Sequence, residues 1–197
     1  GSYSESFTTG QNGWNAEIAE TSSTIANDSL WQWGTAIGTN INTTPFNNKV
    51  WGTRTASPPT TYLQGEEGWV YSPCFDLSQL DRPMISLDVW RDMVQGVDGA
   101  VLEYYDEING TWNTLGQAYN HGINWYQDSF ILSRPGDQAN VTYPVGWTGQ
   151  HPNWENARYA LDHPSDDLRN QTNARFRIAV ASHPNTIAGT HNGFAFN

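Results

Sequence analysis

The sequence predicts an all-β protein built as a two-sheet antiparallel β-sandwich, and three observations carry that prediction. Apolar and polar residues alternate strictly in several short segments, aromatic and β-branched residues are abundant, and long polar, turn-rich stretches separate the segments. Residues 84–90 set Ile85, Leu87 and Val89 on one face and Ser86 and Asp88 on the other. Residues 175–181 turn Phe176, Ile178 and Val180 inward and Arg175 and Arg177 outward. Residues 100–105 oppose Ala100, Leu102 and Tyr104 to Val101, Glu103 and Tyr105. A period of two belongs to a strand with one packed and one wet face. Antiparallel sheets tolerate that arrangement.

The remaining elements follow from local signals. After residues 100–105 come Asp106-Glu107-Ile108-Asn109-Gly110 and then Thr111-Trp112-Asn113-Thr114-Leu115. An Asn-Gly pair supplies the positive φ of a tight turn, so a hairpin is predicted there. Shorter strands are expected over residues 68–71, 129–132 and 193–196. Trp154, Ala157 and Leu161 fall at helical spacing before Asp162-His163-Pro164, but the recurring strand pattern elsewhere favours a strand over 153–161. The polar stretches 35–61, 116–128 and 133–153 carry Phe46, Trp51, Trp125, Tyr126 and Trp147. Disordered linkers lack aromatics, so these loops are expected to be ordered, and loops are where such scaffolds carry function.

Size and charge bound the rest. A chain of 197 residues reads as one domain spanning its whole length. Nine basic residues stand against 20 acidic ones, a formal net charge of −11, and Lys49 is the single lysine. Nucleic acid binding needs clustered cations to displace counterions, so nucleic acid is excluded as a partner. Calcium, neutral glycans and basic protein patches stay open. Cys74 is the single cysteine, which forbids an internal disulfide. Its apolar neighbours predict a buried, inert thiol. No apolar run reaches the length of a membrane-spanning helix. Gly1-Ser2 reads as a cloning scar, with a targeting segment expected upstream.

Several strings occur in a recognisable order. Phe7, Gly13-Trp14, Trp31-Gln32-Trp33-Gly34 and Trp69-Val70-Tyr71-Ser72-Pro73-Cys74-Phe75-Asp76-Leu77-Ser78 come first. Asp98-Gly99-Ala100-Val101-Leu102-Glu103-Tyr104 and Trp112-Asn113-Thr114-Leu115-Gly116 follow. Gly146-Trp147-Thr148-Gly149, Arg175-Phe176-Arg177-Ile178-Ala179-Val180-Ala181-Ser182 and Gly193-Phe194-Ala195-Phe196 close the series. The ordered set resembles the MAM-like jelly-roll modules of bacterial secreted proteins, including immune inhibitor A-type metalloproteases and large surface proteins. The resemblance implies a jelly roll, a non-catalytic accessory role on a secreted or cell-surface protein with further domains, and a structural calcium ion. It departs from such modules at Thr8, where they carry an acid, and at Asn197, where they continue into acidic calcium ligands. The final strand is therefore expected to be truncated.

The sequence holds no catalytic constellation such as His-Glu-x-x-His or Gly-x-Ser-x-Gly. Glu66-Glu67 would point to opposite faces of a strand. The expected activity is therefore recognition, with a spacer module as alternative and a jelly-roll carbohydrate-active enzyme ranked below both. Calcium takes six to eight oxygens, largely carboxylate and carbonyl, and the resemblance proposes Asp28, Glu67, Asp98 and Asn197 as its ligands. A glycan or protein surface is the expected partner, with Trp125, Tyr126 and Trp31 as the ligand-contacting rings.

Overall fold

The computed structural model describes residues 2–17, 30–45, 49–54, 56, 59–119, 121–185 and 190–197. The chain forms β1 (Asn15–Glu17), β2 (Trp31–Gly34), β3 (Val50–Thr53), β4 (Glu67–Tyr71), β5 (Met84–Asp92) and β6 (Gly99–Asp106). It continues through β7 (Thr111–Thr114), β8 (Gly122–Ile123), β9 (Gln150–Ala160), β10 (Phe176–Ala181) and β11 (Gly193–Phe196). A five-stranded sheet has the order β1-β4-β10-β6-β7, and a six-stranded sheet has the order β2-β3-β11-β5-β9-β8. No α-helix occurs among the described residues.

Pairing identifies the topology. β3 pairs with β11, β4 with β10, β5 with β9 and β6 with β7, all antiparallel. This is one long hairpin strip whose successive pairs alternate between the two sheets, so the strip wraps around its own interior. Further pairing of β11 with β5 and of β10 with β6 joins the strip into two sheets. The result is a jelly roll, a two-sheet design that leaves few open edges.

Apart from residues 129–132, the predicted strands appear at their expected places, and residues 153–161 lie almost wholly within β9. The β6–β7 hairpin forms as its sequence requires. Gly110 takes φ +67° and donates its N–H to the Asp106 carbonyl at 2.8 Å. The Asp106 carboxylate accepts from the Ile108 and Asn109 amides. Residues 129–132 are not a strand. Asp128 bridges Gly146, Ile131 donates its N–H to Pro144, and Leu132 donates to Gly96, so the segment is pinned as a loop with Ile131 buried. Cys74 is exposed rather than buried, because Phe75 turns inward to pack on Phe176.

The interior is an aromatic column. Phe7 and Trp14 meet Phe196, which meets Trp31; Trp31 meets Phe194, and Phe194 stacks on Trp147 at 5.5 Å. Trp147 in turn contacts Trp125 and Tyr126, each at 4.9 Å. Aromatic pairs in tilted or edge-on geometry add to the gain from burying their area. Gly193 permits the column to close. It sits at φ +100°, and a Cβ there would lie 1.9 Å from the Thr53 hydroxyl oxygen.

The outer faces of the two sheets differ. A register shift between Val89 and Arg91 marks a bulge in β5. Beyond it alternation fails, and Trp90, Arg91 and Asp92 are all buried. Trp90 joins Val50 and Ala195 beneath Ala36 and Ile41, so the segment after β2 caps the outside of the six-stranded sheet. The outside of the five-stranded sheet is furnished differently, as described below.

Trp147 is fully buried where the column crosses between sheets. Trp147→Ala is expected to cost about 3–5 kcal/mol in urea unfolding. A loss under about 1 kcal/mol would show that the column does not hold the sheets together.

Candidate functional site

The three rings expected to contact ligand are core residues. Trp31, Trp125 and Tyr126 are 2%, 4% and 2% exposed. Their polar atoms are spent on the backbone: Trp31 Nε1 donates to the Gly68 carbonyl, Trp125 Nε1 to Leu115, and the Tyr126 hydroxyl to Leu102. A Trp or Tyr buried this way is a packing element with a satisfied polar handle, and none of the three offers a face to a ligand. Placement in a loop had suggested otherwise for Trp125 and Tyr126, but the loop folds inward.

The rings that do reach the surface lie on the outer face of the five-stranded sheet. Tyr71 pairs across to Arg177, Arg177 to Glu103, and Glu103 to Thr114. Trp69 lies two residues along the same face of β4, and Tyr105 pairs with Trp112 beyond Glu103. Trp69, Tyr71, Tyr105 and Trp112 are each half-buried. Guanidinium groups thread between them. The Arg177 group lies 4.5 Å over Trp112 and 5.7 Å from Trp69, and that of Arg175 lies 4.1 Å over Tyr105. Stacked cation–π contacts of this kind hold both partners in place.

Arg177 was expected in solvent, yet it is 6% exposed. Aromatic neighbours cover its stem, and its Nε donates to Glu103 Oε2 at 2.6 Å. Glu103 is fully buried, and its other oxygen accepts the Asp137 amide at 2.6 Å. Gly136 makes room for this contact, since a Cβ there would lie 2.4 Å from Glu103 Oε1. The loop at Gly136 and Asp137 thus walls one side of the face. Burial pushes the Glu103 carboxyl up, and the Arg177 charge opposes it. Burial and then the charge of Glu103 push Glu67 up as well. Trp69 Nε1, Arg175 Nε and Arg177 Nη2 are buried without a hydrogen-bond acceptor, although Arg177 Nη2 keeps an ion-pair contact of 3.2 Å with Asp137.

A second polar region lies at the end of the sandwich where β5 meets β6. Asp92 accepts from His191 Nδ1 at 2.8 Å, Gln150 Nε2 at 2.7 Å, the Asn192 amide at 2.9 Å and Asn40 Nδ2 at 2.6 Å. Burial alone would raise this carboxyl, but the four donors together hold it below the usual carboxylate range. Asp98 is fully buried and accepts from the Tyr62 hydroxyl at 2.6 Å and the His183 amide at 2.7 Å. Burial, and then Asp98 itself, push the Tyr62 phenol far up. Glu66 is buried too, paired with the guanidinium of Arg54 and accepting the Leu63 amide.

The proposed calcium ligands do not converge. Glu67 belongs to the outer face of the five-stranded sheet, where Glu103 and Arg177 act on it. Asp98 faces Tyr62 and His183. Asn197 follows the far end of β11, where its Nδ2 donates to the Ser6 and Lys49 carbonyls. Asp28 lies outside the described residues. Among the described residues, no group of three or more His, Cys, Asp or Glu is spaced to hold a metal ion. These three residues therefore do not fit one shared calcium ion.

No protein-family model matches this chain, so the MAM-like resemblance rests on the order of its motifs alone. No curated protein matches it either. Among solved structures, the K1 cleaved adhesin domain of Lys-gingipain (Kgp) from Porphyromonas gingivalis W83 aligns over 98% of this chain and 95% of its own. That alignment has a TM-score of 0.40 and 12% sequence identity. Likeness at this level carries no functional argument, and the jelly roll stands on its strand pairing. No helix among the described residues is long and apolar enough to cross a membrane.

Sequence reasoning missed Trp69, Tyr71, Tyr105, Trp112 and the two arginines as a group. A signal was present: Trp69 and Tyr71 alternate with Gly68 and Val70, which places both rings on the wet side of a strand.

Two predictions follow from the polar end. Asp98→Asn is expected to cost about 1–3 kcal/mol, because the Tyr62 hydroxyl and the His183 amide lose a charged acceptor. That loss should be the same in EDTA and in added calcium; a loss seen only with calcium would make Asp98 a metal ligand. Asp92 has a depressed folded pKa, so its contribution is present above the ordinary carboxylate range and is lost as pH falls through its own lower range. Thermal melts from about pH 7 down to about pH 2 should therefore show the gap between the native chain and Asp92→Asn closing on acidification. A constant gap would refute the assignment.

Proposed function

We propose that this chain is a non-catalytic recognition module of a larger secreted or cell-surface protein. In this reading it binds a neutral polysaccharide along the outer face of the β1-β4-β10-β6-β7 sheet. The observation that carries it is the placement of four half-buried rings on one sheet face, interleaved with guanidinium groups and bordered by carboxylates. Sugar rings present apolar C–H faces to aromatic side chains and hydroxyls that both donate and accept. Trp69, Tyr71, Tyr105 and Trp112 supply the first kind of contact. Arg175 supplies donors, and Glu67, Asp137 and Glu17, which pairs with Trp69 across β1–β4 and accepts the Tyr71 hydroxyl, supply acceptors.

Charge selects within the glycans. Acidic groups border the face and the chain carries −11 overall, so an anionic polymer meets repulsion. Rigidity favours binding as well, because rings already held by stacked arginines lose little freedom when a ligand arrives.

Titration with a panel of neutral and acidic polysaccharides, followed by tryptophan fluorescence and calorimetry, tests this. At least one neutral polymer should bind saturably, and Trp112→Ala and Trp69→Ala should each weaken it about tenfold, the cost typical of an aromatic anchor. The circular dichroism of both variants should remain native. Binding confined to acidic polymers or to a basic protein, or no binding at all as a spacer would show, overturns the reading.

A further inference from the structure

Beside the Asp92 network lies a cavity of about 470 Å³, open to solvent on one side. It is separate from the aromatic face. Val94, Val97 and Leu132 supply its apolar lining, and His183, Asn185, Thr190 and His191 its polar lining. Its volume falls within the range of about 300–1,000 Å³ typical of small-molecule sites, which pair an apolar lining with a few placed polar groups.

Hydrogen bonding to Nδ1 favours opposite tautomers for the two imidazoles. His191 Nδ1 lies 2.8 Å from the Asp92 carboxylate, which accepts its proton, so Nε2 is left as an acceptor. His183 Nδ1 accepts the Asn185 backbone N–H at 3.2 Å, so its Nε2 carries the proton and is left as a donor. The lining thus offers one acceptor and one donor beside three apolar side chains. His191 is further held by the Tyr62 ring, stacked at 6.4 Å.

This combination selects against other ligand classes. A transition metal finds one unprotonated nitrogen, Nε2 of His191, and among the described residues no group of three or more His, Cys, Asp or Glu is spaced to complete its coordination. An anion finds no Lys or Arg among the described residues of the lining, and Asp92 lies directly behind His191. We propose that the cavity binds a single neutral sugar residue. Its C–H face would lie on Val94, Val97 and Leu132, with one hydroxyl donating to His191 Nε2 and another accepting from His183 Nε2.

The site is tested on the full chain with the methyl glycosides of glucose, galactose, mannose and xylose, by saturation-transfer NMR and calorimetry. At least one should bind saturably. His191→Phe and Val97→Trp, the first removing the acceptor and the second filling the cavity, should each weaken binding at least tenfold. Trp112→Ala should leave it unchanged, which separates this site from the outer sheet face. Native thermal melts are required of each variant, and Val97→Trp suffices if His191→Phe does not fold. The proposal fails if no glycoside binds, if binding survives the cavity variants, or if Trp112→Ala alone abolishes it. It also fails if zinc binds the cavity and excludes the glycosides.

Discussion

Contact between Trp147 and Phe194 is the point on which the molecule turns. Trp147 bridges to Ala100 of the five-stranded sheet, while Phe194 belongs to the six-stranded one. Their stacked rings span the layers and set how the wrapped strip closes. Burying such large rings drives folding, and close packing makes the spacing between the sheets specific rather than merely compact. Few aliphatic side chains would fill that width. The abundance of tryptophan is therefore a structural requirement before it is a functional one.

Much of the fold was legible because period-two alternation survives wherever one strand face is wet. β4 and the first part of β5 show it plainly, whereas in β6 the residues from Gly99 to Glu103 are all buried. Legibility ended where tertiary structure buried both faces. β10 is buried at every position, so Arg177 looked like a surface residue although rings and Glu103 enclose it. Residues 129–132 have strand composition, but their backbone groups are taken by Pro144 and Gly96 rather than by a neighbouring strand. The site was less legible. Sequence reasoning sought ligand-binding rings in loops, whereas Trp125 and Tyr126 fold into the core and the accessible rings stand on strands.

The buried charges divide into two kinds of work. Arg177 and Glu103 form a pair whose desolvation is offset by stacking rings and by the Asp137 amide, so it positions neighbours more than it adds stability. Asp92 is different: four donors converge on one carboxylate. It ties the segment around Asn40, the β9 start and the chain entering β11 into a single corner. That corner orients His191 and so prepares the cavity beside it.

The two sheets end, on one side, in β7 and β8, strands of four and two residues. β8 reaches only Arg158 and Tyr159 of β9, and the remaining outer edge of β9 carries Pro152, which has no amide hydrogen to offer a pairing strand. When copies of the protein crowd together, another chain finds a poor template for extending the sheets at β7 and at the proline-bearing edge of β9. Such blunting guards against fibrous association, a hazard to which flat β proteins are otherwise prone.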